Sequence, residues 1–153
     1  MTRLRIELPE RVVFACDLNV RVTDLNYGNH LANNMVLGLM HEARWRWFRA
    51  LGYASELELD GAGIVMADAS VIFQSEAFAG EVLTIELRLG PVERSAINLF
   101  YALKERETQR PVAIARTAIV FFNYEARKPM PIPDSVRHAF ETSTVIRDKN
   151  GAN

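Results

Sequence analysis

Six polar side chains crowd residues 23–34: Asp24, Asn26, Asn29, His30, Asn33 and Asn34. The stretch leaves a run that alternates like a strand, residues 12–22, and opens the longest helical pattern of the chain, which ends at Gly52. A simple connection needs one cap and one glycine, so six polar groups exceed structural need. Their chemistry suits proton transfer beside a developing negative charge. Backbone N–H groups at a helix start have no partner within the helix and can face an anion. A histidine side chain titrates near pH ~6.5, which makes His30 a candidate general base. Asp24 is the other candidate, as the base itself or as the group that orients His30. Asn26 can hold a water or a carbonyl by hydrogen bonds but cannot accept a proton. The competing reading is structural. Asp24 and Asn26 would form an Asx-type turn, His30 would pack, and Asn33 and Asn34 would cap the helix.

The elements that must position this stretch read clearly. From residue 34 to 51, Val36, Met40, Ala43 and Trp47 form one helical stripe, and Leu37, Leu39, Phe48 and Leu51 widen it. Glu42, Arg46 and Arg49 fall on the narrower polar side. Glu42 is a second candidate base, although Arg46 at i+4 makes an ion pair the cheaper explanation. Ser55 with Glu58 suggests a short helical turn, and residues 60–63 a turn. Alternating apolar residues predict strands over 64–76, 81–89, 95–106 and 112–123, with Gly90-Pro91 as an interruption. Pro129, Pro131 and Pro133 break regular structure, and Asp134 opens a short helix to about residue 141. One helix followed by grouped strands implies an α+β domain with a largely antiparallel sheet. A sheet covered by one helix keeps an edge open, which predicts a dimer.

Composition narrows the function. The 18 basic and 19 acidic side chains give a formal charge of −1, against a general nucleic-acid binder. Cys16, the single cysteine, excludes an internal disulfide and reads as a buried thiol. No apolar run approaches the ~18 residues that span a membrane, and charges interrupt residues 3–10, so the expected location is the cytoplasm. No zinc-ligand spacing, phosphate loop or dinucleotide glycine motif is present, so no metal or cofactor is expected.

The stretch Val22-Thr23-Asp24-Leu25-Asn26-Tyr27-Gly28-Asn29-His30-Leu31, with His41-Glu42-Ala43-Arg44 in the helix, resembles the hotdog-fold acyl-CoA thioesterases. The branch is that of 4-hydroxybenzoyl-CoA thioesterase. Further matches run from Leu51-Gly52-Tyr53 through Gly63-Ile64 to Phe73 and Gly80-Glu81-Val82-Leu83, so the likeness covers about residues 10–133. It implies one hotdog domain over residues 1–153 with a disordered tail from 144. It also implies one long central helix wrapped by a curved antiparallel sheet of about five strands, in dimers or dimers of dimers.

The resemblance further implies hydrolysis of an acyl-CoA or acyl-carrier-protein thioester at a dimer interface, the acyl carbonyl lying near the helix start. Coenzyme A would be part of the substrate. The family pattern is Asp-x-Asp with the second aspartate catalytic; Asp24 holds the first position and Asn26 stands at the second. In the related Asp-Leu-Asp-x-Asn-x-His pattern of plant acyl-carrier-protein thioesterases, Asp24, Leu25 and His30 match, and Gly28 replaces the asparagine. Tyr27, Gly28, Asn33 and Asn34 are the expected substrate contacts. Arg94 and Ser95, with Lys104, Arg106 and Arg110, are the candidates for coenzyme A phosphates against a reading as solvated surface charge. Two other functions fit the same resemblance: a non-catalytic acyl-thioester sensor, which Asn26 favours, and an acyl-thioester hydratase or dehydratase.

Overall fold

The helical spacing becomes α1 (Asn33–Ala50) in the computed structural model, which describes residues 1–148. Val36, Leu39, Met40, Ala43, Trp47 and Phe48 recur at one- to four-residue intervals and are all buried. Gly52 follows with φ of 101°, the left-handed conformation that lets the chain leave a helix. The N-cap is Ala32, which makes no side-chain cap. Asn33 and Asn34 therefore sit inside the first turn and do not cap it.

Five long strands build the sheet: β1 (Val12–Asn19), β2 (Gly63–Phe73), β3 (Val82–Val92), β4 (Ala96–Glu105) and β5 (Pro111–Asn123). Their spatial order is β2-β5-β4-β3-β1, each neighbour antiparallel. Along β3, Leu83, Ile85, Leu87 and Leu89 are buried with the helix stripe, while Thr84, Glu86 and Arg88 face outward and are half-buried. The expected interruption at Gly90-Pro91 is corrected: β3 runs on to Val92. The pairing with β4 shifts register between Leu89 and Val92, and such an irregularity accommodates a residue with no ladder donor. A side chain at Gly90 would run into the Phe100 ring, 2.6 Å from an added Cβ.

Two short strands extend the expected plan of about five strands, and the short helix expected from Asp134 forms as well. Lys128–Pro129 (β6) pairs with the end of β5. A second helix, α2 (Asp134–Thr142), buries Val136 and Phe140, and the Phe140 ring stacks on Trp47 with centroids 5.2 Å apart. The two-residue strand β7 (Ile146–Arg147) pairs with β1 in parallel, which makes the sheet mixed. The disordered tail expected from residue 144 is thereby corrected through Asp148, whose N–H donates to the Ala15 carbonyl at 2.9 Å. Residues 149–153 lie outside the described residues. The tail covers the outer edge of β1. No described segment pairs with the outer edge of β2.

The connection from α1 to β2 forms turns and isolated bridges, Ser55 to Glu58 and Leu59 to Ala62, in place of the expected short helix. It is pinned by the one buried charge on α1. Arg44 Nε donates to Glu56 Oε1 at 2.8 Å, and Glu56 Oε2 lies 3.0 Å from His41 Nε2. Buried in the sheet, Tyr101 and Thr117 join their hydroxyls at 3.0 Å. Cys16 is buried as expected, and burial pushes its thiol up to about 12, so it carries no thiolate near neutral pH.

Candidate functional site

Asp24 ends a single tight helical turn, Val22–Asp24, and its carboxylate is buried. All its bonding is spent on one residue. Arg21 donates from its backbone N–H to Oδ2 at 2.9 Å, from Nε to Oδ2 at 3.1 Å, and from its terminal nitrogen to Oδ1 at 2.9 Å. Side-chain hydrogen bonds from Arg21 hold the Asp24 carboxyl below its ordinary value of 3.8. A carboxylate so placed is a weak proton acceptor and has no described contact with His30. The structure places Asp24, expected as the base or as the group that orients His30, in a clamp with Arg21 instead. The Asp24 carbonyl accepts the Ala32 N–H at 2.9 Å, which fixes where α1 begins.

A stability consequence follows, with a definite sign. A depressed folded-state pKa stabilises the fold above about pH 3.8, and the contribution is lost as pH falls through the lower folded value. Asp24→Asn should therefore be less stable than the parent at pH 7, and the gap should narrow as the pH is taken well below 3.8. Urea midpoints at pH 7 and in acid check this; a gap that persists unchanged in acid would contradict it.

The loop after Asp24 folds on itself. Asn26 Oδ1 accepts the Gly28 N–H at 2.9 Å, an Asx-type turn, and the Asn26 N–H donates to the His30 carbonyl at 2.9 Å. Asn29 takes a positive φ of 65°, and Tyr27 points fully into solvent. Gly28 lies under the imidazole: an added Cβ would stand 3.0 Å from His30 Nε2. His30 Nδ1 is 3.3 Å from the Leu31 carbonyl. A carbonyl only accepts, so Nδ1 carries the hydrogen and Nε2 is left as the basic nitrogen.

His30 opens on a cleft of about 230 Å³ between the first turn of α1 and the end of β2, lined also by Asn33, Val36, Phe73, Gln74, Ser75 and Val112. The Leu31 N–H donates to the Ala77 carbonyl at 2.8 Å and ties the helix start to this wall. The His30 imidazole and the first-turn residues Asn33 and Val36 thus line one opening. Such an opening can hold a carbonyl oxygen at the helix end and a water at the imidazole. Its volume is below the roughly 300–1,000 Å³ of most ligand sites, and it adjoins the unpaired edge of β2.

The other expected residues are elsewhere. Glu42 accepts from Arg46 Nε at 2.9 Å, the i+4 pair, and lines a separate groove of about 450 Å³ with Asp17, Arg21, Met35 and Gly38 on the β1 side of the helix. Asn34 is exposed and outside the His30 cleft. Arg94 and Ser95 follow β3, whose eleven residues carry the chain roughly 35 Å from the helix start. Their carbonyls accept from Ile132 and Phe121 and hold the segment before α2. Lys104, Arg106 and Arg110 are at the correct end but paired. Lys104 faces Glu86, Arg106 faces Asp17 and Glu107, and Arg110 grips Glu81 at 2.8 Å.

The cleft's one described carboxylate was not among the candidates. Glu76 supplies it and brings Oε1 to 3.9 Å from His30 Nε2. It stands in the connection after β2, 46 positions from His30, so no local spacing marks the pair. Among the described residues no group of three or more His, Cys, Asp or Glu could hold a metal ion, and no helix is long and apolar enough to cross a membrane.

A family model described as the thioesterase-like superfamily matches residues 20–140. No curated protein matches the chain. Among solved structures, Slr0204 of Synechocystis, a 1,4-dihydroxy-2-naphthoyl-CoA thioesterase, superposes with a TM-score of 0.78 at 21% identity, over 84% of this chain and 96% of its own. PA2801 of Pseudomonas aeruginosa gives 0.77 at 24% identity, over 85% and 99%. SAV2348 of Staphylococcus aureus, in complex with CoA, gives 0.76 at 14% identity, over 95% and 94%. These likenesses show a shared fold.

Proposed function

The chain belongs to the thioesterase-like superfamily, and from that premise we propose that it hydrolyses an acyl-CoA thioester to the free acid and the thiol. The observation that supports the reading is that His30 and the first-turn residues Asn33 and Val36 of α1 line one cleft. The acyl carbonyl oxygen faces the N–H at Asn33, and one such donor is worth roughly 10²–10³ in rate. Water attacks the carbonyl carbon and gives its proton to His30 Nε2. The tetrahedral intermediate collapses, the carbon–sulfur bond breaks, and the thiolate recovers the proton from the imidazolium. The reaction is redox-neutral, and the reading assigns it no cofactor.

A second copy of the chain completes the site in this reading. The small cleft and the unpaired β2 edge support it, because an exposed edge of eleven residues is a template for another strand. The protein is thus expected to be a dimer. Thiol release across a panel of acyl-CoAs, with sedimentation at the assay concentration, tests both parts. Tight binding of acyl-CoA without thiol release would favour a sensor instead, and a monomer at full activity would remove the shared site.

A further inference from the structure

We propose that Glu76 shares the attacking water with His30, so that the two form one water-activating pair. The inference rests on the thioesterase reading and adds the residue that takes the place of the missing aspartate. The Glu76 Oε1 to His30 Nε2 distance is 3.9 Å, too long for a direct hydrogen bond. It is the right base for a water at the apex of a triangle. A water about 2.8 Å from each atom would donate one O–H to Nε2 and the other to Oε1. Both of its donors are then used, and an oxygen lone pair is left for the carbonyl carbon.

The surroundings favour this role over a chance ion pair. His30 Nδ1 already donates to the Leu31 carbonyl, so Nε2 is the nitrogen that must accept. Asp24, the other carboxylate near this loop, is committed to Arg21. Arg110 fixes the backbone beside Glu76. Its terminal nitrogen donates to the Glu76 carbonyl at 3.1 Å and its Nε to Ser75 Oγ at 3.3 Å, while its charge is answered by Glu81 at 2.8 Å. The Glu76 carboxylate has no described cation but His30 and is 62% exposed, so water reaches it. When the attack transfers one proton to Nε2, the imidazolium forms beside the Glu76 carboxylate. That charge pairing stabilises the step, and the proton later leaves with the thiolate.

Two readouts separate this pair from the reading beneath it. In the full chain, Glu76→Gln keeps the size and removes the charge. It should lower kcat about 10–100-fold and leave KM within about twofold. Glu76→Ala should lose as much and regain part of it with added formate, which fits the vacated space; Glu76→Gln should not. At fixed pH, the imidazole nitrogen signals of His30 should move in Glu76→Gln while those of His41 and His138 stay. Active parent protein with kcat unchanged in Glu76→Gln overturns the water-sharing role and leaves the thioesterase reading intact. A parent protein that releases no thiol overturns that reading and the water-sharing role with it. Unmoved His30 signals overturn the pairing whatever the activity.

Discussion

His30→Ala is expected to lower kcat about 10²–10⁴-fold, the usual worth of a positioned general base. The variant should fold. The ring is half-buried and its one described hydrogen bond, to the Leu31 carbonyl, is long at 3.3 Å. The loop around it is held by backbone bonds, Asn26 to His30 and Leu31 to Ala77, which alanine keeps. A residual rate above that of water should survive, because the helix-start N–H groups still face the carbonyl. Single-turnover rates with an unchanged melting temperature check the prediction. Turnover within threefold of the parent would remove His30 from the chemistry. Asp24→Ala should behave differently: it strips Arg21 of its partner and loosens the helix start, so the yield of folded protein falls before any kinetic constant is read.

That contrast shows what the sequence could and could not disclose. The helix was legible because its stripe repeats at the helical period, and the strands because Leu83, Ile85, Leu87 and Leu89 alternate. The polar turn was legible as a place, since six polar groups exceed the needs of a connection. Roles within it were not. Arg21 carries no mark of being the clamp for Asp24, and the strand alternation disguised it as an outward side chain. Glu76 reaches His30 only because β2 returns beside the start of α1 and the Leu31–Ala77 bond docks the two connections. Arg94 and Ser95 could have been set aside by counting. β3 starts beside the helix origin, so its far end carries the next turn away from it. The β7 pairing was illegible because two residues have no period, and its register depends on the edge that β1 offers.

The same geometry explains why so little of the chain needs to be committed to chemistry. Asp24, Leu31 and Arg110 fix three backbone segments by single bonds to Ala32, Ala77 and Glu76. The cleft is the space those segments leave. Substitution of Arg110, the support made by a side chain, should therefore change both stability and turnover, whereas Glu76 and His30 should change turnover alone.

The largest stability loss is expected at the other end of the helix. Trp47 is fully buried, with its ring 5.2 Å from both Phe48 and Phe140. Phe140 in turn meets Phe121 edge-on at 6.2 Å, so one indole joins α1, α2 and β5. Trp47→Ala should cost about 3–5 kcal/mol, a large share of the roughly 5–15 kcal/mol that holds a domain together. Trp47→Phe should cost far less than its lost volume implies. The indole N–H is buried without a hydrogen-bond partner, and removing such a donor relieves a desolvation cost of about 1–3 kcal/mol. The two effects oppose each other, and a loss below about 1.5 kcal/mol is expected. Urea unfolding of both variants tests the pair. If Trp47→Phe falls as far as Trp47→Ala, the indole nitrogen has a partner in solution, and the stacking account of this cluster would have to give way to one built on that bond.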